Sequence, residues 1–348
     1  MKVMKKIGAL SVTAILAVLV IWGIDFYTDH RMQEANQSYV AENTIGEETT
    51  AEIVPEETTP EETTPEETTA DPNILYPVEY VDASATVSQT FSQELAAESA
   101  ILISVNDKSI IYEKNAQEQL SPASTTKLMT ALTVLQHLNP ETMITVGEEI
   151  YLIGEGSSTA NLEVGDTLSV RQLLSGLLIS SGNDAAYTLA VNVGRQELDE
   201  VVTYEEAIAY FVACMNENVE TMGLTNTHFN SPDGYDADNQ YISAEDLAMI
   251  AYEAYENEEI RTICSTHSLY VKEKDITWTS TNQLMNPDSQ YYYDKAIGMK
   301  TGSTGNAGKC LVSVAQSGEQ VYLCVVLNSD DSGRWLDSIA LLDYGFGL

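Results

Sequence analysis

Three short segments carry the side chains needed for acyl transfer: Ser124-Thr125-Thr126-Lys127, Ser181-Gly182-Asn183 and Lys300-Thr301-Gly302. A serine hydroxyl is a weak nucleophile near neutral pH unless a base takes its proton. Residues three apart share one face of a helix, so Lys127 is placed to be that base. A lysine can act so when burial and neighbouring cations lower its pKa. Ser124 follows Ser121-Pro122-Ala123 and opens an apolar-periodic run, which predicts a helix N-terminus. Free amide hydrogens and the positive end of the helix dipole favour negative charge developing there. Taken alone, the pair also fits an N-cap serine beside a solvated lysine.

The other two segments supply what such a pair lacks. The Ser181 hydroxyl can relay a proton, and the Asn183 amide can bond both Lys127 and a substrate amide. Gly182 is expected to make the turn. Lys300 offers positive charge and Thr301 a hydroxyl for a substrate carboxylate. Gly302, lacking a side chain, is expected to let substrate approach a strand backbone closely. Arg334 is a second candidate cation for that carboxylate, or else a solvated helix-start residue. Alone, the second segment also fits a helix-capping loop and the third an edge lysine.

The elements that must hold these residues are legible in outline. Ala97 to Ser104 and Ser109 to Tyr112 read as strands around the turn Asn106-Asp107-Lys108. Leu128, Met129, Leu132, Leu135 and Leu138 recur at helical spacing, and Asn139-Pro140 ends that helix. Further helices are predicted over Val170–Leu178, Asp184–Val193, Tyr204–Met222, Ala244–Tyr255 and Arg334–Tyr344. Lys309–Gln316 and Gln320–Asn328 read as a hairpin around Ser317-Gly318-Glu319. Strands at both ends with helices between predict an α+β domain with a mostly antiparallel sheet.

Composition narrows the function. The 348 residues carry 53 acidic and 16 basic side chains, a net charge of −37, which excludes nucleic acid as a partner. Any anion site must therefore be local. The cysteines Cys214, Cys264, Cys310 and Cys324 form no C-x-x-C and are too few for a disulfide framework. No histidine has metal-ligand spacing, so no metal and no cofactor is expected.

The N-terminus has its own pattern. Lys2, Lys5 and Lys6 precede an apolar run from Ile7 to Ile24, which is long enough to approach the thickness of a bilayer core. Its exit, Trp22-Gly23-Ile24-Asp25, is a poor cleavage site, so residues 1–30 are expected to be an uncleaved membrane anchor, the alternative being a cleaved signal and a secreted protein. Residues 31–92 are expected to be a disordered acidic spacer. Pro55-Glu56-Glu57-Thr58-Thr59 repeats from Pro60 and again from Pro65, and this composition cannot bury a core. The folded domain is expected over 93–348.

Taken together, the segments resemble those of the low-molecular-mass penicillin-binding proteins, serine-type D-alanyl-D-alanine carboxypeptidases of the bacterial cell wall. The resemblance runs from about Ala97 to Phe346. It includes Tyr112-Glu113-Lys114-Asn115-Ala116, Asn230-Ser231-Pro232-Asp233-Gly234 and Gly298-Met299-Lys300-Thr301-Gly302-Ser303-Thr304. It implies a five-stranded antiparallel sheet between helical layers and an acyl-enzyme on Ser124. Ser124, Lys127, Ser181, Asn183 and Lys300 would be catalytic. Thr301, Gly302, Ser303 and Arg334 would bind substrate, and the backbone N–H groups of Ser124 and Ser303 would form an oxyanion hole. The implied partners are the peptidoglycan stem peptide and β-lactam antibiotics.

Two departures stand out. The chain shows no second β-rich domain or C-terminal amphipathic helix, so the N-terminal segment is expected to do the tethering. Ser303 also stands where the family often has histidine. Transpeptidase or endopeptidase activity of the same site stays open. A class A β-lactamase lacks support, since no Glu-x-x-Leu-Asn lies between Asn183 and Lys300. A β-lactam sensor would need a cytoplasmic output domain, and only about six residues precede the apolar run.

Overall fold

The computed structural model describes residues 75, 77, 80–82, 91–198 and 201–348. Its strands are β1 (Val81–Asp82), β2 (Ser99–Ser104), β3 (Ser109–Lys114), β4 (Met143–Thr145), β5 (Thr167–Ser169), β6 (Ser268–Val271), β7 (Ile276–Thr279), β8 (Ala296–Thr304), β9 (Gly308–Ser317) and β10 (Gln320–Ser329). Its helices are α1 (Lys127–His137), α2 (Val170–Leu178), α3 (Asn183–Glu197), α4 (Tyr204–Thr221), α5 (Ala244–Glu256), α6 (Glu258–Cys264) and α7 (Gly333–Phe346).

The main sheet has the order β1-β3-β2-β10-β9-β8. Five strands are antiparallel, and the two-residue β1 adds a parallel edge beside β3. The expected α+β domain, with a sheet built from both ends of the chain, is what forms. β10 shows why. Side chains alternate across a strand, and both faces of this one are covered. Val321, Leu323, Val325 and Leu327 join the large core under the central helices. Tyr322, Cys324 and Val326 join a second core with Trp335, Leu341 and Leu342 of α7. Burial on both faces turns an alternating pattern into a continuous apolar run. Each fully buried Val or Leu contributes about 1.5–3 kcal/mol relative to exposure.

The helices start where side chains can satisfy their free amides. Ser169 and Gln172 form a capping box on α2, and Thr203 and Glu206 form one on α4. Losing such a cap typically costs about 1 kcal/mol. Asn257 both ends α5 and caps α6, its side chain accepting from the Ile260 N–H. The sequence reading missed α6, as well as the small β6–β7 hairpin. That hairpin is anchored by Trp278, fully buried, whose Nε1–H donates to the Ala160 carbonyl at 2.9 Å.

A further difference concerns Ser124. It lies in a short 3₁₀ turn, Ala123–Thr126, and the α-helix begins only at Lys127. Ala123 has a positive φ of 48°, which an α-helix cannot continue through. The expected anchor, residues 1–30, lies outside the described residues, as does most of the spacer 31–92. Among the described residues no helix is long and apolar enough to cross a membrane.

Candidate active site

The turn carrying Ser124 is fixed from below. The Pro122 carbonyl accepts from Thr125 Oγ1 at 2.7 Å. Gly234, with φ 79°, presses on the turn so closely that a Cβ there would stand 1.9 Å from the Ala123 carbonyl oxygen. At the start of α1, Lys127 is fully buried. Its Nζ donates to Ser124 Oγ at 2.8 Å, to Asn183 Oδ1 at 2.7 Å and to the Asp233 carbonyl at 2.7 Å. An ammonium has three protons, and these contacts use all of them. Burial lowers its pKa to about 8, against the upward pull of the Asp233 and Asp184 charges. A lysine so poised can lose one proton and then accept that of a hydroxyl at hydrogen-bond distance.

Ser181 and Asn183 sit at the corner between α2 and α3. The turn belongs to Ser181, at φ 60°, and not to Gly182, whose φ is −65°. Gly182 answers a different need. A Cβ on it would lie 2.8 Å from both the backbone nitrogen and the Cβ of Ala160. Ser157 and Ser158 clamp this corner. Ser158 Oγ donates to the Ser181 carbonyl at 2.6 Å, and Asn183 Nδ2 donates to Ser157 Oγ at 2.8 Å. With Oδ1 held by the lysine, the Asn183 amide has one orientation that satisfies both ends.

Lys300 enters from β8 and is also fully buried. Its Nζ donates to Ser181 Oγ at 2.8 Å and to the Thr301 carbonyl at 3.0 Å. Burial, helped by the Lys127 charge, holds its ammonium well below the ordinary lysine pKa. The site thus joins Ser124, Lys127 and Asn183 on one side to Ser181 and Lys300 on the other. Next along β8, the Thr301 hydroxyl lies 2.5 Å from that of Thr281. Gly302 answers a packing need. A Cβ there would meet Ala123 Cβ at 3.0 Å and the Pro122 carbonyl at 3.1 Å, so its missing side chain makes room for the Ser124 turn.

Ser124, Ser157, Asn183, Tyr235, Asp236 and Ser303 face a common cavity of about 230 Å³. Ser303 Oγ accepts from Lys309 Nζ at 3.0 Å. The described residues of the cavity wall include none of Lys300, Thr301 and Arg334. Arg334 Nη1 donates to the Gly302 carbonyl at 3.4 Å, and its guanidinium stacks 4.4 Å from the Trp335 ring centroid. Burial lowers its pKa, and its Nε has no hydrogen-bond partner among the described residues.

The profile of the peptidase S11 family, D-alanyl-D-alanine carboxypeptidase, matches residues 83–331. The chain belongs to the S11 family. D-alanyl-D-alanine carboxypeptidase DacF of Bacillus subtilis is 33% identical over 265 residues, 73% of this chain and 64% of its own length. DacA of Escherichia coli is 35% identical over 73% of this chain and 61% of its own length. The chain therefore spans a little under two thirds of these relatives. The D-alanyl-D-alanine carboxypeptidase of Streptomyces sp. strain K15 is 36% identical, with 68% of this chain and 83% of its own length covered. The crystal structure of the Streptomyces K15 DD-transpeptidase superposes with a TM-score of 0.68 and 34% identity, covering 74% of this chain and 99% of that one. Penicillin-binding protein D2 of Listeria monocytogenes, in its ampicillin-bound form, gives a TM-score of 0.61 and 26% identity over 73% of this chain and 99% of that one.

Several residues at this S11 site were not singled out by sequence. Ser157 and Ser158 lie in a Gly-Ser-Ser loop with no recognisable spacing. Thr281 is brought to Thr301 by the β6–β7 hairpin. Asp233 stands inside the quoted Asn230–Gly234 segment, but nothing in its type announced a contact with Lys127.

Proposed function

We propose that this S11 protein is a serine-type D-Ala-D-Ala carboxypeptidase that removes the terminal D-Ala of peptidoglycan stem pentapeptides. The observation that carries the reading is the 2.8 Å contact of Lys127 Nζ with Ser124 Oγ in a site that buries the lysine completely. Neutral Lys127 takes the Ser124 proton as Oγ attacks the scissile carbonyl. The backbone N–H groups of Ser124 and Ser303 stabilise the oxyanion. Ser181, held by Lys300, passes a proton to the departing D-Ala amine and takes in its place the one that Lys127 gained, so that Lys127 is neutral again. Water then hydrolyses the acyl-enzyme and restores Ser124. Thr301, Lys300 and Arg334 favour the substrate carboxylate, Lys300 and Arg334 through their charge. β-Lactams acylate the same serine. The two names of the Streptomyces K15 relative, a carboxypeptidase and a DD-transpeptidase, favour a second reading in which an amine replaces water as acceptor.

One experiment addresses both readings. A pentapeptide ending in D-Ala-D-Ala should yield tetrapeptide and free D-Ala by mass spectrometry, with or without an added amine. The C-terminal amide of that peptide should react far more slowly. Equal rates for acid and amide would remove the carboxylate contact, and a product seen only with amine would make the protein a transpeptidase.

The N-terminal segment supports a membrane location. We propose that residues 7–24 stay in the mature protein as an anchor, with the catalytic domain outside the cell. Mass analysis of the membrane fraction should find the original N-terminus. A start near residue 25–45 would mean a cleaved signal and a secreted enzyme.

A further inference from the structure

We propose that Asp233 is a positioning residue for acylation, its carboxylate serving as the fixed counter-charge that holds Lys127 protonated in the resting site. The inference rests on the role proposed above for Lys127.

The backbone around Asp233 is pinned on both sides. The Pro232 carbonyl accepts from Thr130 Oγ1 at 2.6 Å, and the Gly234 N–H donates to Ser231 Oγ at 3.1 Å. Between them the Asp233 carbonyl accepts from Lys127 Nζ at 2.7 Å. The side chain is fully buried. Oδ1 accepts from the Tyr235 N–H at 3.0 Å, whereas Oδ2 is buried without a hydrogen-bond partner among the described residues. A buried carboxylate with one bare oxygen is destabilising unless a nearby charge compensates it.

Compensation is close by, and the groups around Lys127 show why Asp233 matters. From the Ser124 turn and α3 it meets the neutral Ser124 and Asn183. From β8 comes Lys300, also buried, whose own ammonium form the Lys127 charge disfavours. Asp184 on α3 is the other carboxylate whose charge reaches Lys127. Its oxygens accept from three backbone N–H groups, those of Ala160 at 2.8 Å, Ala185 at 2.9 Å and Leu162 at 3.0 Å. That charge is already shared with the loop it clamps. Tyr187, on the next turn of α3, is also within the field of Asp233, and burial together with that charge pushes its phenol upward. Two carboxylates thus act on Lys127, and of the two only Asp233 keeps an oxygen free of backbone donors.

The sign follows directly. Burial lowers the Lys127 pKa and the Asp233 charge raises it, giving about 8 in balance. Removing the charge lowers it further, so Lys127 becomes neutral at lower pH. Asp233→Asn keeps the backbone carbonyl and the acceptor for the Tyr235 N–H. The test is the second-order rate of acylation by a penicillin with the full chain, from about pH 5 to about pH 10. The acid limb of Asp233→Asn should move down by about one pH unit, which on that limb is about tenfold faster acylation. Its alkaline plateau should not rise, because a weaker base abstracts the serine proton less well. Asp233→Ser is a second neutral variant and should shift the limb the same way.

An unshifted limb in a folded variant overturns the proposal, even if the plateau falls. So does a loss of folding in both variants, which would make Asp233 a structural residue. Failure of the parent protein to acylate would instead remove the functional reading itself.

Discussion

Replacing Lys127 with alanine should lower the acylation rate of Ser124 by a factor of about 10² or more. The effect is large because no other described side chain donates to Ser124 Oγ, which Lys127 Nζ reaches at 2.8 Å. The loss should be greatest above pH 8, where the parent lysine, with its pKa lowered to about 8 by burial, is mostly neutral and able to accept a proton. Below that pH the parent is itself mostly in the ammonium form, so its rate falls and the gap narrows. The residual rate of Lys127→Ala should therefore lack the acid limb of the parent. Circular dichroism should show the same secondary structure, since α1 buries Leu128, Met129, Ala131 and Leu132 irrespective of the lysine. A folded variant within twofold of the parent rate would contradict the assignment.

Gly234→Ala is the second change expected to act strongly, and it acts through shape. The new Cβ would stand 1.9 Å from the Ala123 carbonyl oxygen and 2.7 Å from Thr126 Oγ1, on a backbone with φ 79°. Overpacking costs about 1–3 kcal/mol and the left-handed conformation about 1–2 kcal/mol more. The turn under Ser124 has to move to relieve the clash. Chemical denaturation should show a loss of about 2–5 kcal/mol, together with loss of acylation. Gly318→Ala is the control. Gly318 has a positive φ of 62° in the β9–β10 turn but nothing within 4 Å of its would-be Cβ. It should lose only about 1 kcal/mol and acylate normally. Similar losses in both variants would show that backbone conformation, not contact with the Ser124 turn, governs position 234.

The site was legible in the sequence where its chemistry is local. Ser124 and Lys127 are three residues apart, and Ser181 and Asn183 are two apart, so each pair is fixed by its own turn. Their meeting follows once the family resemblance supplies the fold. The packing roles of the glycines were not legible because their causes are distant. Gly182 yields to Ala160, and Gly302 yields to Ala123, contacts that no local pattern encodes. The left-handed Ser181 was hidden for the same reason. It is held by a hydrogen bond from Ser158, which is 23 residues away. In the fold, the long runs of β9, β10 and α1 stood out by periodicity. β6 and β7 are four residues each and α6 is seven, too short for a period to assert itself against their polar flanks. The thickness of the sheet's two cores was legible only in retrospect, through the unbroken apolar run of β10.

The central claim is that Ser124 is the residue acylated. Incubation of the full chain with penicillin, followed by digestion and peptide mass mapping, tests it most directly. The adduct should sit on Ser124, and Ser124→Ala should carry none while keeping the parent's melting behaviour. An adduct on any other serine, or an unmodified Ser124 in a folded protein under saturating penicillin, would contradict the account.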